Sequence, residues 1–249
     1  MKRTMVIQPN TILRETQFQI QQEGMETYTG AYIGKYTYCC GAYMDNGAEF
    51  TVKNNQVIHN FHIGNFNSIG ANLSIIFGRN HSTRTLDTGA LQLMVNDKGM
   101  LPPIKNTYTQ KGTIILQNDI WFGENVTVMP GVIIRNGAVV ARNSHVVKDV
   151  PPYAIVGGNP AKIIGYRFNE EQIKMLQEIQ WWFWDDEKIL ENAQYVTEDI
   201  DAFCEKFYPD AHKDFLEIVA KRNIEKDTYF AFLDYYEGYG TYPLIIEEL

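Results

Sequence analysis

The sequence has few cysteines, no long apolar run and no excess of basic residues, and each absence excludes a class of protein. Its three cysteines, two of them adjacent at Cys39 and Cys40, form neither a disulfide framework nor the spacing of a zinc site. A formal net charge of −8 disfavours general binding to nucleic acid or to an anionic membrane surface. No stretch approaches a transmembrane helix, and the start, MKRTMVIQPN, has no apolar run of a signal peptide. We therefore expect a soluble cytoplasmic protein with no nucleic-acid partner and no transmembrane segment.

The sequence does contain a six-residue repeat. From Ile63 the chain divides into IGNFNS, IGANLS and IIFGRN, and from Leu116 into LQNDIW, FGENVT, VMPGVI, IRNGAV, VARNSH and VVKDVP. The first position is apolar in all nine units. The fourth position is Asn, Asp or Gly in eight of the nine, Phe66 being the exception. These residue types tolerate the left-handed backbone of a tight turn.

This double register predicts a triangular prism of stacked coils. Each unit supplies a short strand with one inward apolar residue and then a turn, and three units complete one coil. Ordinary β-hairpins also place Asn and Gly at turns, but they alternate with a period of two and do not keep a strict spacing of six. Residues 27–62 are less regular, with one plausible unit starting at Ile33, and we interpret them as early, irregular coils.

The repeat stops at Gly78 and resumes at Leu116. Ile75 and Leu116 are 41 positions apart, which is not a multiple of six, so the chain leaves the prism and returns. A long loop in a compact domain is usually functional. His81 lies at the break, within GRNHSTRT, and the residues alone leave two interpretations: a chemical group presented by a loop, or a loop histidine with no role.

Residues 118–168, NDIWFGENVTVMPGVIIRNGAVVARNSHVVKDVPPYAIVGGNPAKIIGYRF, resemble the hexapeptide-repeat acyltransferases. The resemblance is closer to their xenobiotic acetyltransferase branch, which includes streptogramin and type B chloramphenicol acetyltransferases. Three features carry it: the GGNPAK element with Arg167-Phe168 after it, the stretch WWFWDD, and Asn80-His81 opening an excursion that returns to Trp121. It covers roughly residues 60–190.

The resemblance implies a fold, a partner and a cofactor. The fold is a mainly β, left-handed parallel β-helix over residues 1–168, with an excursion loop at about 81–112 and an α-helical extension over 169–249. This handedness is an exception that the six-residue spacing does not reveal. Family members are homotrimers with active sites between neighbouring subunits, they take the acetyl group from acetyl-CoA, and their loop histidine is the general base.

The chemistry of acetyl transfer agrees with that role for His81. A hydroxyl that attacks a thioester must lose its proton, and a neutral imidazole, with a pKa near about 6.5, accepts protons well near neutral pH. A backbone N–H commonly stabilises the oxyanion. His59 and His62 form an H-x-x-H pair, as in a metal site, but the related zinc carbonic anhydrases need three converging histidines. We therefore predict His81 as the catalytic residue and no metal.

The resemblance also indicates where acetyl-CoA binds. Cationic residues cluster at the end of the prism where the family places the nucleotide, and phosphates would explain them, although charges on solvated turns are ordinary. Trp121, Phe122 and Gly123 would line the tunnel for the pantetheine arm, although Trp121 could equally be buried in the prism. The predicted cofactor-binding residues are Trp121, Gly123, Arg142, Lys148, Asn159, Pro160, Lys162 and Arg167.

After Phe168 the spacing becomes helical. Asn169 with Gln172 predicts a capped helix, a second helix is expected after Thr197, and a third over residues 211–223. The last stretch, DTYFAFLDYYEGYGTYPLIIEEL, is aromatic and acidic. It would cover part of the acceptor cleft, where tyrosines stack on sugar rings, or simply pack against the prism or a partner.

The acceptor remains open between three hypotheses. The first is a hydroxyl of a carbohydrate or surface polysaccharide, which we favour because the excursion lacks the Tyr-Pro-Phe element associated with the drug-modifying enzymes. The second is an antibiotic of the streptogramin or chloramphenicol type. The third is a non-catalytic or metal-binding β-helix scaffold. Fold alone does not choose among them.

Overall fold

The structure of the 249-residue chain is a computed structural model. It describes residues 6–7, 11–13, 16–17, 27–29, 32–44, 49–53, 56–59, 61–77, 86, 114–197 and 199–222. His81 and the remainder of the predicted excursion, apart from Leu86, lie outside the described residues, as does the predicted turn residue Gly78.

Three sheets form the faces of a parallel β-helix, and each coil contributes one strand to each face. Sheet A contains β1 (Val6–Ile7), β7 (Ala42–Met44), β12 (Leu73–Ile75), β15 (Thr127–Val128) and β18 (His145–Val146). Sheet B contains β2 (Thr11–Leu13), β6 (Thr37–Cys39), β11 (Ser68–Ile69), β14 (Trp121–Phe122), β17 (Val139–Val140), β19 (Ala154–Gly157) and β20 (Lys162–Tyr166). Sheet C contains β3 (Thr16–Gln17), β5 (Tyr32–Ile33), β10 (Phe61–Ile63), β13 (Ile114–Leu116) and β16 (Ile133–Ile134).

The inward column of the repeat is confirmed. All nine first-position side chains are at most 1% exposed, and they belong to one hydrophobic core that fills the prism: Ile63, Ile69, Ile75, Leu116, Phe122, Val128, Ile134, Val140 and Val146. Successive coils pair in parallel register, as where Ile69 lies beside Phe122 and Phe122 beside Val140. The core is therefore a stack of residues spaced by whole coils.

The turn column is confirmed at seven of the nine predicted positions, which have positive φ: Phe66, Asn72, Asp119, Asn125, Gly131, Gly137 and Asn143. Phe66 has φ 59° although it is not one of the residue types that favour this region. The expectation for Asp149 is wrong, since its φ is not positive. Its carboxylate instead accepts the N–H of Ile133 at 3.0 Å, and the following Val150 precedes a proline, which favours extended backbone.

The three edges of the prism differ in their turn residues. The C–B corner, between sheets C and B, has the turn residues Tyr36, Phe66, Asp119, Gly137 and Tyr153. The B–A corner has Asn72, Asn125 and Asn143, whose side-chain amides form a ladder at 3.0 and 3.2 Å. The A–C corner has Gly131, with φ 75°.

Buried amides line the inner side of the C–B corner. Asn67, which is fully buried, donates to the carbonyl oxygens of Gly64 and Gln117 at 2.9 Å each and accepts the N–H of Ile120 at 2.8 Å. Asn118 and Asn136, in later coils, each accept a backbone N–H: Asn118 accepts that of Asn65 at 2.7 Å, and Asn136 accepts that of Asn118 at 3.1 Å. These side chains satisfy backbone groups that the turns leave without strand partners, which buried polar groups require.

Antiparallel strands cover the described ends of the coil stack. Strands β1, β2 and β3 pair antiparallel with the three strands of the first coil, and β20 pairs antiparallel with β19 after the last. A covered edge offers fewer unpaired backbone groups to other chains. A separate antiparallel sheet of β4 (Thr27–Thr29), β8 (Glu49–Lys53) and β9 (Gln56–His59) explains why the six-residue register fails before Phe61.

Helices follow the β-helix. They are α1 (Glu170–Ile179), a 3₁₀ turn (Trp181–Phe183), α2 (Asp186–Glu191), α3 (Ala193–Thr197) and α4 (Ile200–Arg222). The predicted cap of α1 is present, because Asn169 and Gln172 form a reciprocal capping box. The prediction of separate second and third helices is wrong: α4 runs through Pro209 without a break. Phe203 and Phe215, on either side of that proline, are both buried, and their packing offsets the lost backbone hydrogen bond.

The helical region packs along the C–B corner and contacts several coils. Lys35 Nζ donates to the carbonyl oxygen of Trp184 at 2.6 Å, and the Phe66 ring lies 4.9 Å from that of Trp181. Asn136, in a later coil, donates to the Gln177 side chain at 3.2 Å. The tryptophan-rich stretch is therefore packing between helix and prism, as expected for such a cluster. Within the described part of the chain, no helix combines the length and apolar character needed to span a bilayer.

Candidate cofactor and active site

Trp121 lies on the outer surface of sheet B. It is 58% exposed, whereas the adjacent Phe122 is fully buried inside the prism. Its register partners are Ser68 in the coil before and Val139 in the coil after. Trp121 is thus not a core residue, and its indole is available to a ligand or a neighbouring subunit. The expectation that Phe122 lines a tunnel is wrong, because strand alternation turns its ring inward.

Gly123 is required by the stacking of coils. A Cβ atom at this position would lie 2.6 Å from the backbone nitrogen of Arg142, closer than real Cβ contacts. Its φ is not positive, so the constraint is space and not backbone conformation. Arg142 itself is exposed and pairs with Glu124 at 2.8 Å on the B–A corner. The packing of adjacent coils therefore requires glycine at position 123, whether or not a cofactor passes it.

The GGNPAK element forms the turn between β19 and β20 and lies against the B–A corner. His145 donates its N–H to the Gly158 carbonyl at 2.9 Å, and Ala161 donates to the His145 carbonyl at 2.8 Å. Asn159 and Pro160 at the tip, and Lys162 after it, are all exposed. The structure therefore brings this turn and the predicted Arg142 to the same edge of the last coils, where two cations face solvent.

Lys148 lies on a different edge, the A–C corner, and is exposed. The strands on either side of the predicted excursion meet at this edge, because β12 is in sheet A and β13 is in sheet C. Phe77, the last described residue after β12, is 5% exposed and packs in the core. Lys148 therefore lies at the same corner as these strand ends, two coils further along the prism.

Arg167 lies apart from the other predicted cofactor residues, on the C–B corner. Its Nη1 donates to Asp119 Oδ2 and to the Gly137 carbonyl oxygen, both at 2.9 Å. The guanidinium carbon is 5.3 Å from the Tyr153 ring centroid and 5.1 Å from that of Phe168. Burial raises the pKa of the Asp119 carboxyl, and the charge of Arg167 offsets part of that rise. Arg167 thus already has partners within the chain.

One contact between α1 and α4 was not predicted from the sequence. His212 Nδ1 lies 2.6 Å from Glu178 Oε2, and the Glu178 side chain is only 1% exposed. The imidazole also stacks on Tyr208, one helical turn earlier. The sequence predicts no role for His212, since its partner is 34 positions away. The one signal in the sequence was the four-residue spacing of Tyr208 and His212, which places both side chains on the same face of a helix.

His145 faces outward and is half-buried, in register with Thr127. Among the described residues, no three His, Cys, Asp or Glu side chains converge to hold a metal ion. The side chains of His59 and His62 are outside the described part of the structure, so the H-x-x-H pair stays untested.

The chain is similar in sequence to known acetyltransferases. No protein-family model matches the chain. A chloramphenicol acetyltransferase from Klebsiella aerogenes is 36% identical over 162 residues, which cover 63% of this chain and 77% of the relative. A chloramphenicol acetyltransferase from Escherichia coli is 34% identical over 169 residues, covering 66% of this chain and 80% of that one.

Among solved structures, a hexapeptide-repeat-containing acetyltransferase from Vibrio cholerae is similar to the chain at 27% identity and a TM-score of 0.39. The match covers 56% of this chain and 64% of the other, so it spans less than two thirds of that structure.

Proposed function

Because the chain belongs to the xenobiotic acetyltransferase branch of the hexapeptide-repeat acyltransferases, a family of acetyltransferases that use acetyl-CoA, we propose that it acetylates a hydroxyl of a carbohydrate with His81 as the general base. The observation that carries the proposal is the position of His81 at the break of an otherwise regular repeat. Left-handed winding of the coils is part of the same proposal and rests on the family resemblance.

In the proposed reaction, the imidazole of His81 removes the proton of the acceptor hydroxyl as its oxygen attacks the thioester carbonyl carbon. The new C–O bond forms, the C–S bond breaks, and the thiolate leaves and takes up the proton from His81. A backbone N–H stabilises the oxyanion of the intermediate. The transfer needs neither a metal nor a redox partner.

The proposed cofactor contacts are the exposed groups on the later coils. Arg142 and Lys162 at the B–A corner would pair with phosphates, and Asn159 and Pro160 would shape the turn beside them. Trp121 would pack against the pantetheine arm. Lys148, on the A–C corner, would contribute a further cation. Arg167 stays a predicted contact, but Asp119 and the Gly137 carbonyl oxygen compete for its N–H groups.

A homotrimer is the proposed assembly, with each active site between two subunits. Large apolar side chains on β20 support it: Ile163, Ile164 and Tyr166 are 48%, 67% and 49% exposed. They lie on the last strand of sheet B, three strands from β14, which holds Trp121. Clustered exposed apolar side chains mark an interaction site more often than a solvated surface. Light scattering coupled to gel filtration would give the subunit number directly.

The carbohydrate acceptor is supported by the absence of the Tyr-Pro-Phe element from the excursion. The second candidate, an antibiotic hydroxyl, is favoured by the names of the two chloramphenicol acetyltransferases above, which this chain covers over three quarters or more of their length. Both candidates use the same base and the same donor, so a single assay distinguishes them.

The experiment is release of thiol from acetyl-CoA with a panel of acceptors. The panel holds acidic and neutral sugars, oligosaccharides, chloramphenicol and a group A streptogramin. We expect release that needs both a carbohydrate acceptor and His81, with His81→Ala losing about 10²–10⁴-fold in rate. His145→Ala is the matched control, because it removes a histidine from the outer face of the prism and should retain activity.

Other outcomes would change the proposal in specific ways. Release with chloramphenicol but with no sugar would select the antibiotic acceptor. Acceptor-dependent release that survives His81→Ala would remove His81 as the base. If nothing on the panel reacts, calorimetry with acetyl-CoA decides: failure to bind would favour a non-catalytic scaffold.

A further inference from the structure

A cavity of about 370 Å³ lies between the C–B corner of the prism and the C-terminal helices. Its volume is within the range of about 300–1,000 Å³ typical of small-molecule sites. Both parts of the chain line it, and the lining residues are Asp119, Tyr153, Arg167, Phe168, Leu176, Trp181, Tyr195, Val196, Thr197, Asp199, Ile200 and Phe203.

One end of the cavity is polar and has an unused donor. The Tyr153 side chain is 1% exposed, yet its hydroxyl has no hydrogen-bond partner among the described groups. Burial raises the pKa of that phenol well above its ordinary value, so it remains a neutral O–H donor. Beside it is the Asp119–Arg167 ion pair at 2.9 Å. A buried donor without an acceptor is costly, and a ligand oxygen would satisfy it.

The other walls are apolar and aromatic. Phe168, Trp181 and Tyr195 are half-buried rings that line the cavity, and Val196 and Ile200 add aliphatic surface from α3 and α4. Aromatic walls around a few convergent polar groups are the usual composition of a ligand site. Such walls favour a flat ring, because aromatic surfaces pack well face to edge or offset.

The charge of the lining selects among such ligands. Two carboxylates, Asp119 and Asp199, and one guanidinium, Arg167, line the cavity, so an anion gains little. The Tyr153 hydroxyl and the remaining N–H groups of Arg167 both donate, so the ligand must accept. These conditions describe an uncharged aromatic compound with a carbonyl or similar acceptor.

The cavity lies at the C–B corner. The strands that flank the predicted catalytic loop, β12 and β13, belong to sheets A and C, so the chain leaves and re-enters the prism at a different edge. We propose that this cavity is an accessory binding site for an uncharged aromatic molecule with a hydrogen-bond acceptor, formed by the C–B corner together with α1, α3 and α4. The site does not depend on the identity of the acetyl acceptor.

The test is calorimetry of the full chain with acetanilide, which has a neutral ring and an amide carbonyl. We expect saturable binding at one site per chain, and no comparable binding of benzoate, which has a negative charge. Tyr153→Phe should weaken binding by about threefold to tenfold, because it removes only the hydroxyl donor. Val196→Phe should abolish binding by filling the cavity, with folding checked by circular dichroism.

The matched control is Leu190→Phe, on α2, whose side chain is 76% exposed and does not line the cavity. Acetanilide should bind this variant as it binds the wild-type chain. Failure of the wild-type chain to bind acetanilide, or equal affinity in Tyr153→Phe and Val196→Phe, would overturn the proposal. Displacement of bound acetanilide by coenzyme A would also overturn it, since the cavity would then be part of the cofactor site.

Discussion

Asp119 and Arg167 form an ion pair at 2.9 Å between the turn of a middle coil and the residue that directly follows β20. The two residues are 48 positions apart in the sequence. Their side chains are 23% and 30% exposed, so the pair is partly screened by solvent. It connects the end of the β-helix to its side at the point where the helices begin.

Replacing Arg167 with alanine should lower the free energy of unfolding by about 1–3 kcal/mol, because Asp119 and the Gly137 carbonyl lose their donor. Arg167→Lys should recover only part of the lost free energy of unfolding, since an ammonium does not reproduce the planar guanidinium that stacks on Tyr153. Urea unfolding measures this. If Arg167→Ala instead leaves stability unchanged and raises only the KM for acetyl-CoA, Arg167 is a cofactor contact.

The stability contributed by Asp119 should depend on pH. Burial raises the pKa of this carboxyl in the folded chain, so ionisation is harder there than in the unfolded chain. The protonated Asp119 carboxyl therefore stabilises the folded chain fully below the ordinary Asp pKa of about 3.9. This stabilisation is lost as the pH rises through the pKa of Asp119 in the folded chain. Compared with Asp119→Asn, which cannot ionise, the wild-type chain should lose relative stability from about pH 4 upward. A relative stability that grows with pH would mean that Arg167 outweighs burial.

Gly123→Ala should destabilise the chain by about 1–3 kcal/mol, because the new Cβ would lie 2.6 Å from the backbone of the next coil. Gly165→Ala is the matched control: a Cβ at that position meets nothing within 4 Å. Its effect should stay within about 0.5 kcal/mol. Thermal unfolding of both variants checks this, and equal melting temperatures would show that the coils separate to accommodate the methyl group.

Phe66 combines a left-handed backbone with an aromatic contact to Trp181. Phe66→Ala and Phe66→Asn both lose the ring, but asparagine tolerates the positive φ better than alanine. We expect Phe66→Asn to be more stable than Phe66→Ala by about 0.5–1 kcal/mol, measured by urea unfolding. The same pair of substitutions at Tyr38, which lies on β6 and has no positive φ, should show no advantage for asparagine. An advantage at both positions would remove the backbone explanation.

The prism could be predicted because its rule is local. Each six-residue unit has one apolar residue that points inward and one residue that forms a corner. Both recur at a fixed spacing, so both can be recognised in the sequence. The rule failed at Asp149, where the side chain accepts a backbone N–H and a proline follows two positions later. It also failed to predict the first antiparallel strands. Neither the Asp149 contact nor the antiparallel strands alter the pattern of residue types in a six-residue unit, so the pattern could not predict them.

The C–B corner could not be predicted, because its contacts join distant parts of the chain. Asp119 was predicted only as a turn residue and Tyr153 was given no role. Nothing in the spacing placed these two residues beside Trp181 or α4. The continuity of α4 through Pro209 likewise depends on Phe203 and Phe215 packing against other elements. Local preference predicted a break there, and tertiary packing overrode it.

The contact of Lys35 with Trp184 has a consequence for synthesis. The two residues are 149 positions apart, so the first coil leaves the ribosome long before its partner is made. At about 5–20 residues per second, this interval is about 7–30 s. During it the earliest corner of the nascent protein lacks the aromatic cover that the helices later provide. The helices that follow the prism thus complete the packing of a coil that is made before the other coils of the prism.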